Sequence, residues 1–556
     1  MNYISKKNII FILIIIATIS LGFKLYTIDF TVLPSEDVFG WTLLGIANSN
    51  GDFTEHPRKT LGWPIFMSPF FNLFDSNDFL DYVNIARTLG LILSTISVIP
   101  MYLLSRKFFD VKYSLCATGL FAFEPHLNYV AGQGMTEPLY ILAIIISLYF
   151  MLQKNSNYSY LSFLTIGLLW WIRWQGIIML LVATIILFRN FKKTPKLFLK
   201  YFACIAICLV VVSPMLVERY EQFGDPLYFS QSLRLFTGEY ASILGANLLG
   251  FEYSAFDYID DHGFGKFVEN FVFMGIYNLF LVLFKMSFPY LIIFLPFGII
   301  FSLRAFDQEK KYIQSNWILI LITLIPFIFY FALLPEKRLI YHVYPFLIIL
   351  AIIPLQRLVE YGLSTFSYDD RQKKIVLVGI MGAVLILSSF YTLRYDLPDP
   401  VLNDEKILFA ETLSQKFEGK ILDAGNTLQG LTYVNITNPP GIFKNYKIHP
   451  NQTADFMEEF NNENRNLKPI ELYAKSLEGL IEISNEYELK YISINKDGVH
   501  FKFIWDDTTT YASNFIIKGH KNIESPKDDF FSEDDPFIKK LMIDWGLNLF
   551  PKDFEK

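Results

Sequence analysis

The sequence has few charged residues and few cysteines. Charged residues make up 18% of the 556 residues, whereas a soluble globular protein has about 25%. The three cysteines all lie inside hydrophobic runs, so they indicate neither a disulfide framework nor a zinc site; they are Cys116, Cys204 and Cys208. The chain also lacks a Gly-rich phosphate loop, a His-Glu-x-x-His pair and a Cys-x-x-Cys pair. The familiar sequence motifs of nucleotide and metal enzymes are therefore missing.

Hydrophobic residues are abundant instead, at 53% of the chain, with a mean hydropathy of +0.34. They form runs of about 17–25 residues, the length that crosses ~30 Å of hydrocarbon. We therefore predict a polytopic α-helical membrane protein with about eleven spans. The first span is long and has no small-x-small cleavage site before Tyr26, so we expect it to be retained. The expected spans are 8–25, 84–104, 114–130, 136–152, 159–172, 176–188, 201–217, 287–303, 316–334, 340–357 and 374–392.

The distribution of lysine and arginine predicts the orientation of these spans. Alternate loops are rich in these residues, which places the amino terminus in the cytoplasm and the acidic loops 26–83 and 218–286 outside. The stretch 267–284 is ambiguous, because a span there would invert every later loop and move Lys310-Lys311 to the outer side. We therefore expect an interfacial or re-entrant helix at 267–284.

The chain changes character near residue 395. Residues 1–394 contain every long hydrophobic run, whereas residues 395–556 are polar and charged. About 160 residues suffice for one small domain. We predict an extracytoplasmic α/β domain over 395–556, with strands near 490–495 and 515–517, helices near 454–464 and 469–487, and an acidic end at 528–535.

Carboxylates, cations and aromatic residues gather at the expected outer ends of the spans. Glu36 and Asp37 directly follow the first span, and carboxylates at a membrane edge are costly unless solvated or paired. Such groups can accept a proton from a hydroxyl or bind a divalent metal. Cations can hold a phosphate, and aromatic rings offer faces to sugars. The other residues of this set are His56, Arg58, Lys59, His126, Glu137, Arg173, Arg338 and Tyr341. A donor with a lipid tail, a phosphate and a polar head would meet all three kinds of group.

The order of these elements resembles the GT-C membrane glycosyltransferases, and most of all the branch of protein O-mannosyltransferases and lipid A aminoarabinose transferases. The resemblance covers roughly the first 390 residues and rests on the ordering of the set, since no single motif is decisive. It is carried by the acidic pair Glu36-Asp37, by Gly62-Trp63-Pro64, by Thr136-Glu137-Pro138-Leu139-Tyr140, and by Arg338 ahead of Tyr341 and Pro345. The oligosaccharyltransferase branch usually carries Trp-Trp-Asp-Tyr-Gly, which this sequence lacks. That absence argues against transfer of a whole oligosaccharide to asparagine.

The resemblance implies a polyprenyl-phosphate sugar as donor and a lipid, glycan or protein hydroxyl as acceptor. By position, Asp37 is the expected catalytic base, with Glu36 as its neighbour and Glu137 as a second acid of the cavity. Arg58, Lys59, Arg173 and Arg338 are candidates for the lipid phosphate, with His56, His126 and Tyr341 nearby. The family also leaves room for a divalent metal such as Mg²⁺ or Mn²⁺, for which Asp37 and Glu137 would be the ligands. No feature of the sequence indicates a nucleic-acid partner.

Ordinary explanations exist for each of these residues. The acidic pair can be a solvated loop, and Glu137 can serve the amino end of a helix. The cations can contact lipid headgroups, and Arg173 can be an interfacial anchor between tryptophans. A transporter or flippase of lipid-linked sugars is the main alternative function, but it should show repeats and charges near the bilayer midplane. A membrane anchor for residues 395–556 is a third, and it leaves the acids and cations of the outer loops unexplained.

Overall fold

The structure is a computed structural model. It describes residues 5–32, 34–56, 59–74, 76, 79–229, 232, 235–238, 253–303 and 310–395, and short strands between residues 420 and 524. The helices up to Phe223 are α1 Lys6–Thr27, α2 Glu36–Ser49, α3 Gly62–Phe71, α4 Phe79–Ile96, α5 Val98–Ser105, α6 Val111–Ala122, α7 Pro125–Ala131, α8 Glu137–Met151, α9 Tyr158–Ile172, α10 Gly176–Asn190 and α11 Leu197–Phe223. The later helices are α12 Ala255–His262, α13 Phe264–Met286, α14 Leu291–Leu303, α15 Lys310–Phe331, α16 Tyr344–Arg357 and α17 Asp370–Tyr395. A 3₁₀ turn over Lys337–Val343 leads into α16.

Among the described residues, six helices are long and apolar enough to cross a membrane, and five shorter apolar helices accompany them. The long ones include Leu80–Ser105, Leu197–Phe223, Lys337–Thr365 and Asp370–Tyr395, which coincide with the predicted spans 84–104, 201–217, 340–357 and 374–392. The chain is thus a multi-pass helical membrane protein, whereas the number of spans stays a prediction.

The predicted outer loop 26–83 is largely helical. Ser35 precedes α2 in an extended conformation, and the two carboxylates that follow favour the positive end of the helix dipole. The apolar side of α2, which includes Phe39 and Leu43, packs with Trp63 and Met67 of α3 in one buried cluster. Asp37 therefore lies in the first turn of a packed helix, and it is not part of an irregular acidic loop.

The predicted span 114–130 is broken. Helix α6 ends at Ala122, and α7 restarts at Pro125, a residue well suited to a first helical turn. The carbonyls of Ala122 and Phe123 near this break accept hydrogen bonds from Ser20 of α1 and Ser388 of α17. The break therefore anchors two spans that are distant in sequence.

Helix α13 contains the ambiguous stretch 267–284 and is long enough to be a span. Several of its contacts lie at the carboxy-terminal end of α15. The ring of Phe267 lies 6.4 Å from that of Phe329, and Asn278 donates to the carbonyl of Phe331 at 2.8 Å. Its end is held by the Tyr344 hydroxyl, which donates to the carbonyl of Met286 at 3.0 Å. These contacts lie near the connection between α15 and α16, which favours the interfacial placement; that placement stays a prediction.

The strands of the carboxy-terminal region form two sheets. One sheet has five strands in the order β2-β3-β1-β4-β5, and the other pairs β6 with β7. Strand β4 pairs with β1 in parallel and with β5 antiparallel. Two predicted strands match β4 and β6, whereas the predicted helices 454–464 and 469–487 and the acidic end lie outside the described residues. The α/β assignment therefore stays a prediction. The strands are β1 Lys420–Asp423, β2 Val434–Thr437, β3 Ile442–Asn445, β4 Leu489–Lys496, β5 Val499–Ile504, β6 Ile516–Lys518 and β7 Asn522–Glu524.

Candidate functional site

The site is organised by an ion pair between two residues that are far apart in the sequence, Asp37 and Arg338. The Arg338 guanidinium donates through Nη1 to Oδ2 of Asp37, a residue 301 positions earlier. Its Nε donates to Oε2 of Glu336 at 2.5 Å. The side chains of Arg338 and Asp37 are 32% and 37% exposed. The pair is thus accessible to a ligand, and two carboxylates share one guanidinium. We call the end of the helix bundle that carries this pair the Asp37 face.

Lys59 is the second cation beside Asp37. Its Nζ lies 3.9 Å from Oδ1 of Asp37 and donates to the Asp37 carbonyl at 3.4 Å. The ammonium also lies 5.3 Å from the centroid of the Trp41 ring. Asp37 thus lies between a guanidinium and an ammonium.

The segment that follows Lys59 is fixed to two other segments of the Asp37 face. The Thr60 hydroxyl donates to the carbonyl of Ile172 at 2.8 Å, and the Trp63 indole donates to the carbonyl of Gly134 at 3.0 Å. Gly62 approaches α9 so closely that a Cβ there would lie 2.4 Å from the carbonyl oxygen of Trp171. The resemblance element Gly62-Trp63-Pro64 is therefore a packing element that positions Lys59.

Glu137 and Arg173 form a second, more deeply buried pair. Their side chains are 4% and 14% exposed, and Arg173 Nη1 lies 2.7 Å from Glu137 Oε1. The guanidinium also donates to Thr136 Oγ1 at 3.2 Å and to Gln175 Oε1 at 3.1 Å. Met135, two residues before Glu137, contacts Arg338 Nη1 through its sulfur at 3.9 Å. The two ion pairs therefore lie in the same part of the molecule.

A cavity of about 440 Å³ opens over the Asp37–Arg338 pair. Its wall combines two carboxylates, two cations, two tyrosines and a methionine, and the Met135 sulfur lies 3.9 Å from Arg338 Nη1. Such a mixed lining suits a polar ligand that carries a phosphate and a sugar. The lining residues are Ser35, Asp37, Tyr129, Val130, Gln133, Met135, Glu336, Lys337, Arg338 and Tyr341.

Behind the cavity wall lies His126, which is 4% exposed. Its ring lies 6.1 Å from that of Tyr341, 6.0 Å from that of Tyr344 and 5.9 Å from that of Tyr391. His126 therefore lies one residue layer away from a ligand in the cavity, while Tyr341 lines it directly.

A buried ion pair lies beneath the Lys59 segment. Glu55 and Arg219 have side chains 1% and 0% exposed, and Arg219 Nη2 lies 2.9 Å from Glu55 Oε2. Burial raises the pKa of the Glu55 carboxyl to about 7, against the opposing attraction of Arg219. Arg219 also donates to the backbone carbonyl of His56 at 3.2 Å, so His56, itself 6% exposed, takes part in packing here.

The structure brings most of the predicted residues together. Asp37, Arg338 and Tyr341 line the cavity, and Lys59 lies beside Asp37. Glu137 and Arg173 form the second pair. Glu36 is the first residue of α2, and its side chain lies outside the described part, as does Arg58 altogether. The sequence analysis missed Glu55 and Arg219, and it did not select Met135, Glu336 and Lys337 as site residues although they adjoin predicted ones. Arg219 follows a hydrophobic run without any motif that could have indicated it.

The metal that the resemblance allows does not fit the described donors in this arrangement. Asp37 and Glu137 each face cations, and the described residues contain no group of three or more His, Cys, Asp or Glu that could hold a metal ion. We therefore derive no chemical step through a metal.

Comparison with known proteins gives a family match for part of the chain and a shared fold. Residues 58–217 match the family model of dolichyl-phosphate-mannose-protein mannosyltransferases, a range that includes Lys59, Glu137 and Arg173. No curated protein sequence matches the chain. The apo oligosaccharyltransferase of Archaeoglobus fulgidus aligns over 89% of this chain and 70% of its own, with 13% identity and a TM-score of 0.55. The same enzyme in complex with Zn and sulfate aligns over 87% and 67%, with 15% identity and a TM-score of 0.55. Its complex with an inhibitory peptide and a dolichol-phosphate aligns over 87% and 69%, with 15% identity and a TM-score of 0.50.

At these identities the solved structures show a shared fold, and the family model matches only residues 58–217. Both findings are consistent with the resemblance to GT-C membrane glycosyltransferases.

Proposed function

We propose that this protein transfers a sugar from a polyprenyl-phosphate donor to an acceptor hydroxyl, and that the transfer takes place in the cavity of the Asp37 face. The observation that carries the proposal is the Asp37–Arg338 pair in the cavity, with Lys59 beside it. It combines a carboxylate able to accept a proton with cations able to hold a phosphate. The oligosaccharyltransferase complex with a dolichol-phosphate supports the same donor class on the same fold.

Binding of the donor would exchange the partners of Arg338. Without donor, the guanidinium is shared by Asp37 and Glu336. A lipid phosphate offers the same planar fork a stronger anionic partner. Lys59 and Lys337 lie close enough to add charge on either side of the phosphate. The exchange would release the Asp37 carboxylate toward the acceptor.

The chemical step is then a displacement at the anomeric carbon. The acceptor oxygen attacks that carbon as its bond to the phosphate oxygen breaks, and the bonding electron pair leaves with the phosphate. The hydroxyl proton moves to Asp37. Arg338 and Lys59 stabilise the charge that develops on the leaving phosphate, and fixed charges in a site that excludes water are effective in this role. Glu137 is held by Arg173 and is expected to shape the electrostatics beside the donor.

The transferred group is expected to be a single hexose or pentose. Although the aligned solved structures are oligosaccharyltransferases, this sequence lacks the Trp-Trp-Asp-Tyr-Gly motif of that branch. A protein, lipid or glycan hydroxyl would serve as acceptor. The positive-inside distribution places the Asp37 face and residues 395–556 on the outer side of the cell membrane, with the amino terminus in the cytoplasm.

A transfer assay tests the proposal. The purified protein in lipid nanodiscs receives radiolabelled polyprenyl-phosphate mannose, glucose or aminoarabinose together with a crude membrane acceptor extract. We expect label to move to the acceptor fraction with at least one donor. A matched pair of variants tests the phosphate site: Arg338→Lys should raise the donor KM, because an ammonium cannot reproduce the fork. Arg357→Gln, at the far end of the helix α16 into which the Arg338 turn leads, should leave the KM unchanged.

The transporter alternative predicts a different result in sealed vesicles. A flippase moves labelled donor between leaflets without breaking the sugar–phosphate bond. Flipping without any transfer to the acceptor fraction, with all three donors, would overturn the proposed reaction.

A further inference from the structure

The buried pair of Glu55 and Arg219 has no role in the chemistry proposed above. Taking two charges out of water costs several kcal/mol per ion, and their attraction often only offsets that cost. A pair of this kind is therefore weak evidence for stability. The Glu55–Arg219 pair is better explained by a role in joining segments of the chain that are distant in sequence.

Arg219 lies near the end of α11 and is 0% exposed. Its Nη2 donates to the carbonyls of His56 at 3.2 Å and Lys59 at 3.1 Å. Its Nη1 donates to the carbonyl of Tyr228 at 2.7 Å. One guanidinium thus binds the backbone at His56, at Lys59 and in the chain that leaves α11. A planar fork with several donors can serve these three carbonyls together, while Glu55 lies at ion-pair distance from Nη2 without a hydrogen bond to it.

The Arg219 guanidinium also contacts the segment that contains Arg173 and Trp174. Its central carbon lies 4.8 Å from the centroid of the Trp174 ring, within cation–π range. Trp174 follows Arg173, which holds Glu137 at 2.7 Å. Arg219 therefore lies where the Lys59 segment and the Arg173 segment meet.

We propose that Arg219 and Glu55 form a positioning clamp, which holds the Lys59 ammonium against Asp37. The clamp also fixes the Lys59 segment relative to the Arg173 segment. Neither residue lines the cavity, so both act through Lys59 as positioning residues. The kinetic consequence rests on the proposed sugar transfer, whereas the mechanical consequence does not. The clamp orders residues 55–61, whatever reaction the site performs.

The kinetic test is a double-mutant comparison on the full-length protein in nanodiscs. Arg219→Lys keeps the charge but loses the fork, and Glu55→Gln keeps the shape but loses the charge partner. Either variant should lower kcat/KM for the donor by about 10- to 100-fold, since small misplacements of a charged group are costly. Glu221→Gln, an exposed residue of the same helix, is the matched control and should have no effect.

Combining Arg219→Lys with Lys59→Met separates a loss of Lys59 positioning from a loss of overall stability. If the clamp acts through Lys59, Arg219→Lys should cause little further loss when it is added to Lys59→Met. If the fold losses in kcat/KM of the two single variants multiply in the double variant, the clamp is overturned. Wild-type activity of both Arg219→Lys and Glu55→Gln would also overturn it. If Arg219→Lys fails to fold, Glu55→Gln with Lys59→Met supplies the same comparison.

A second measurement does not need activity. Hydrogen exchange followed by mass spectrometry should show faster exchange of the amides of 55–61 in Arg219→Lys, with α2 unchanged. Unchanged exchange of 55–61, or equal acceleration throughout α2, would overturn the clamp. Should the parent protein transfer no sugar from any donor, the proposed function fails while this measurement still decides on the clamp.

Discussion

At the residue scale, the central feature is the sharing of charges around Asp37. Arg338 forms ion pairs with Asp37 and Glu336, and Lys59 forms a third with Asp37. The side chains of Asp37 and Arg338 are each about one-third exposed. Ion pairs at such exposure contribute about 0–1 kcal/mol each. Weak ion pairs of this kind can exchange partners when a phosphate binds. In a buried pair the same exchange would cost more free energy, because it would leave a buried charge without its partner.

Breaking the Glu137–Arg173 pair should cost more stability than breaking an exposed pair, because Glu137 and Arg173 are more deeply buried. Arg173→Met leaves the Glu137 carboxylate buried without its guanidinium, which commonly costs about 3–5 kcal/mol. We expect a clear fall in the thermal unfolding midpoint of the purified protein. The control is Lys112→Met, which breaks a pair of the same 2.7 Å length whose side chains are 33% and 39% exposed, and which should cost about 0–1 kcal/mol. Equal shifts for the two variants would contradict the distinction.

At the element scale, the sequence was informative where hydrophobicity decides the structure. The long runs at 84–104 and 374–392 were found because lipid requires continuous apolar helices. The helices α2 and α3 were missed because they are shorter and lie in a stretch with many polar residues. Their helical form depends on mutual packing of Phe39 with Trp63 and Met67, which is tertiary information. The break at Phe123-Glu124 was hidden because the apolar run continues on both sides of it.

The close approach of α3 to α9 gives a test at this scale. Gly62→Ala places a methyl group 2.4 Å from the carbonyl oxygen of Trp171, so the two backbones must separate. We expect loss of stability and a lower kcat/KM, because Lys59 moves with this segment. Gly22→Ala, at an exposed helix position with nothing within 4 Å of the added carbon, should be neutral or slightly stabilising. Thermal unfolding and donor kinetics of both variants provide the measurement, and a neutral Gly62→Ala would contradict this packing role.

The placement of α13 can be tested with single cysteines at its ends. Lys266 and Lys285 are exposed and lie near opposite ends of the helix. An interfacial helix predicts that Lys266→Cys and Lys285→Cys react with a membrane-impermeant thiol reagent from the same side as Asp225→Cys. Lys192→Cys, in the loop between α10 and α11, should react from the other side. Labelling of the two α13 positions from opposite sides would establish a span instead.

At the scale of the whole molecule, the site is assembled from segments hundreds of residues apart. The sequence analysis anticipated that Asp37, Lys59, Glu137 and Arg338 would share one face, because charges of both signs recurred at one end of successive spans. It did not anticipate which carboxylate would pair with which cation. That pairing depends on the helical first loop and on the clamp at Arg219, neither of which leaves a periodic or compositional signal. The comparisons show a shared fold and a family match over residues 58–217, and the reaction, the sugar and the acceptor stay proposals.

The central claim is that Asp37 accepts the proton while Arg338 holds the phosphate. The most direct measurement compares the parent with Asp37→Asn for single-turnover transfer and for binding of polyprenyl phosphate, with Asp52→Asn as control. The account predicts a rate lower by about 10²–10⁴-fold in Asp37→Asn. It also predicts phosphate binding that is equal or tighter, because Arg338 loses a competing carboxylate. Full transfer in Asp37→Asn, or a loss of rate explained entirely by lost phosphate binding, would contradict it.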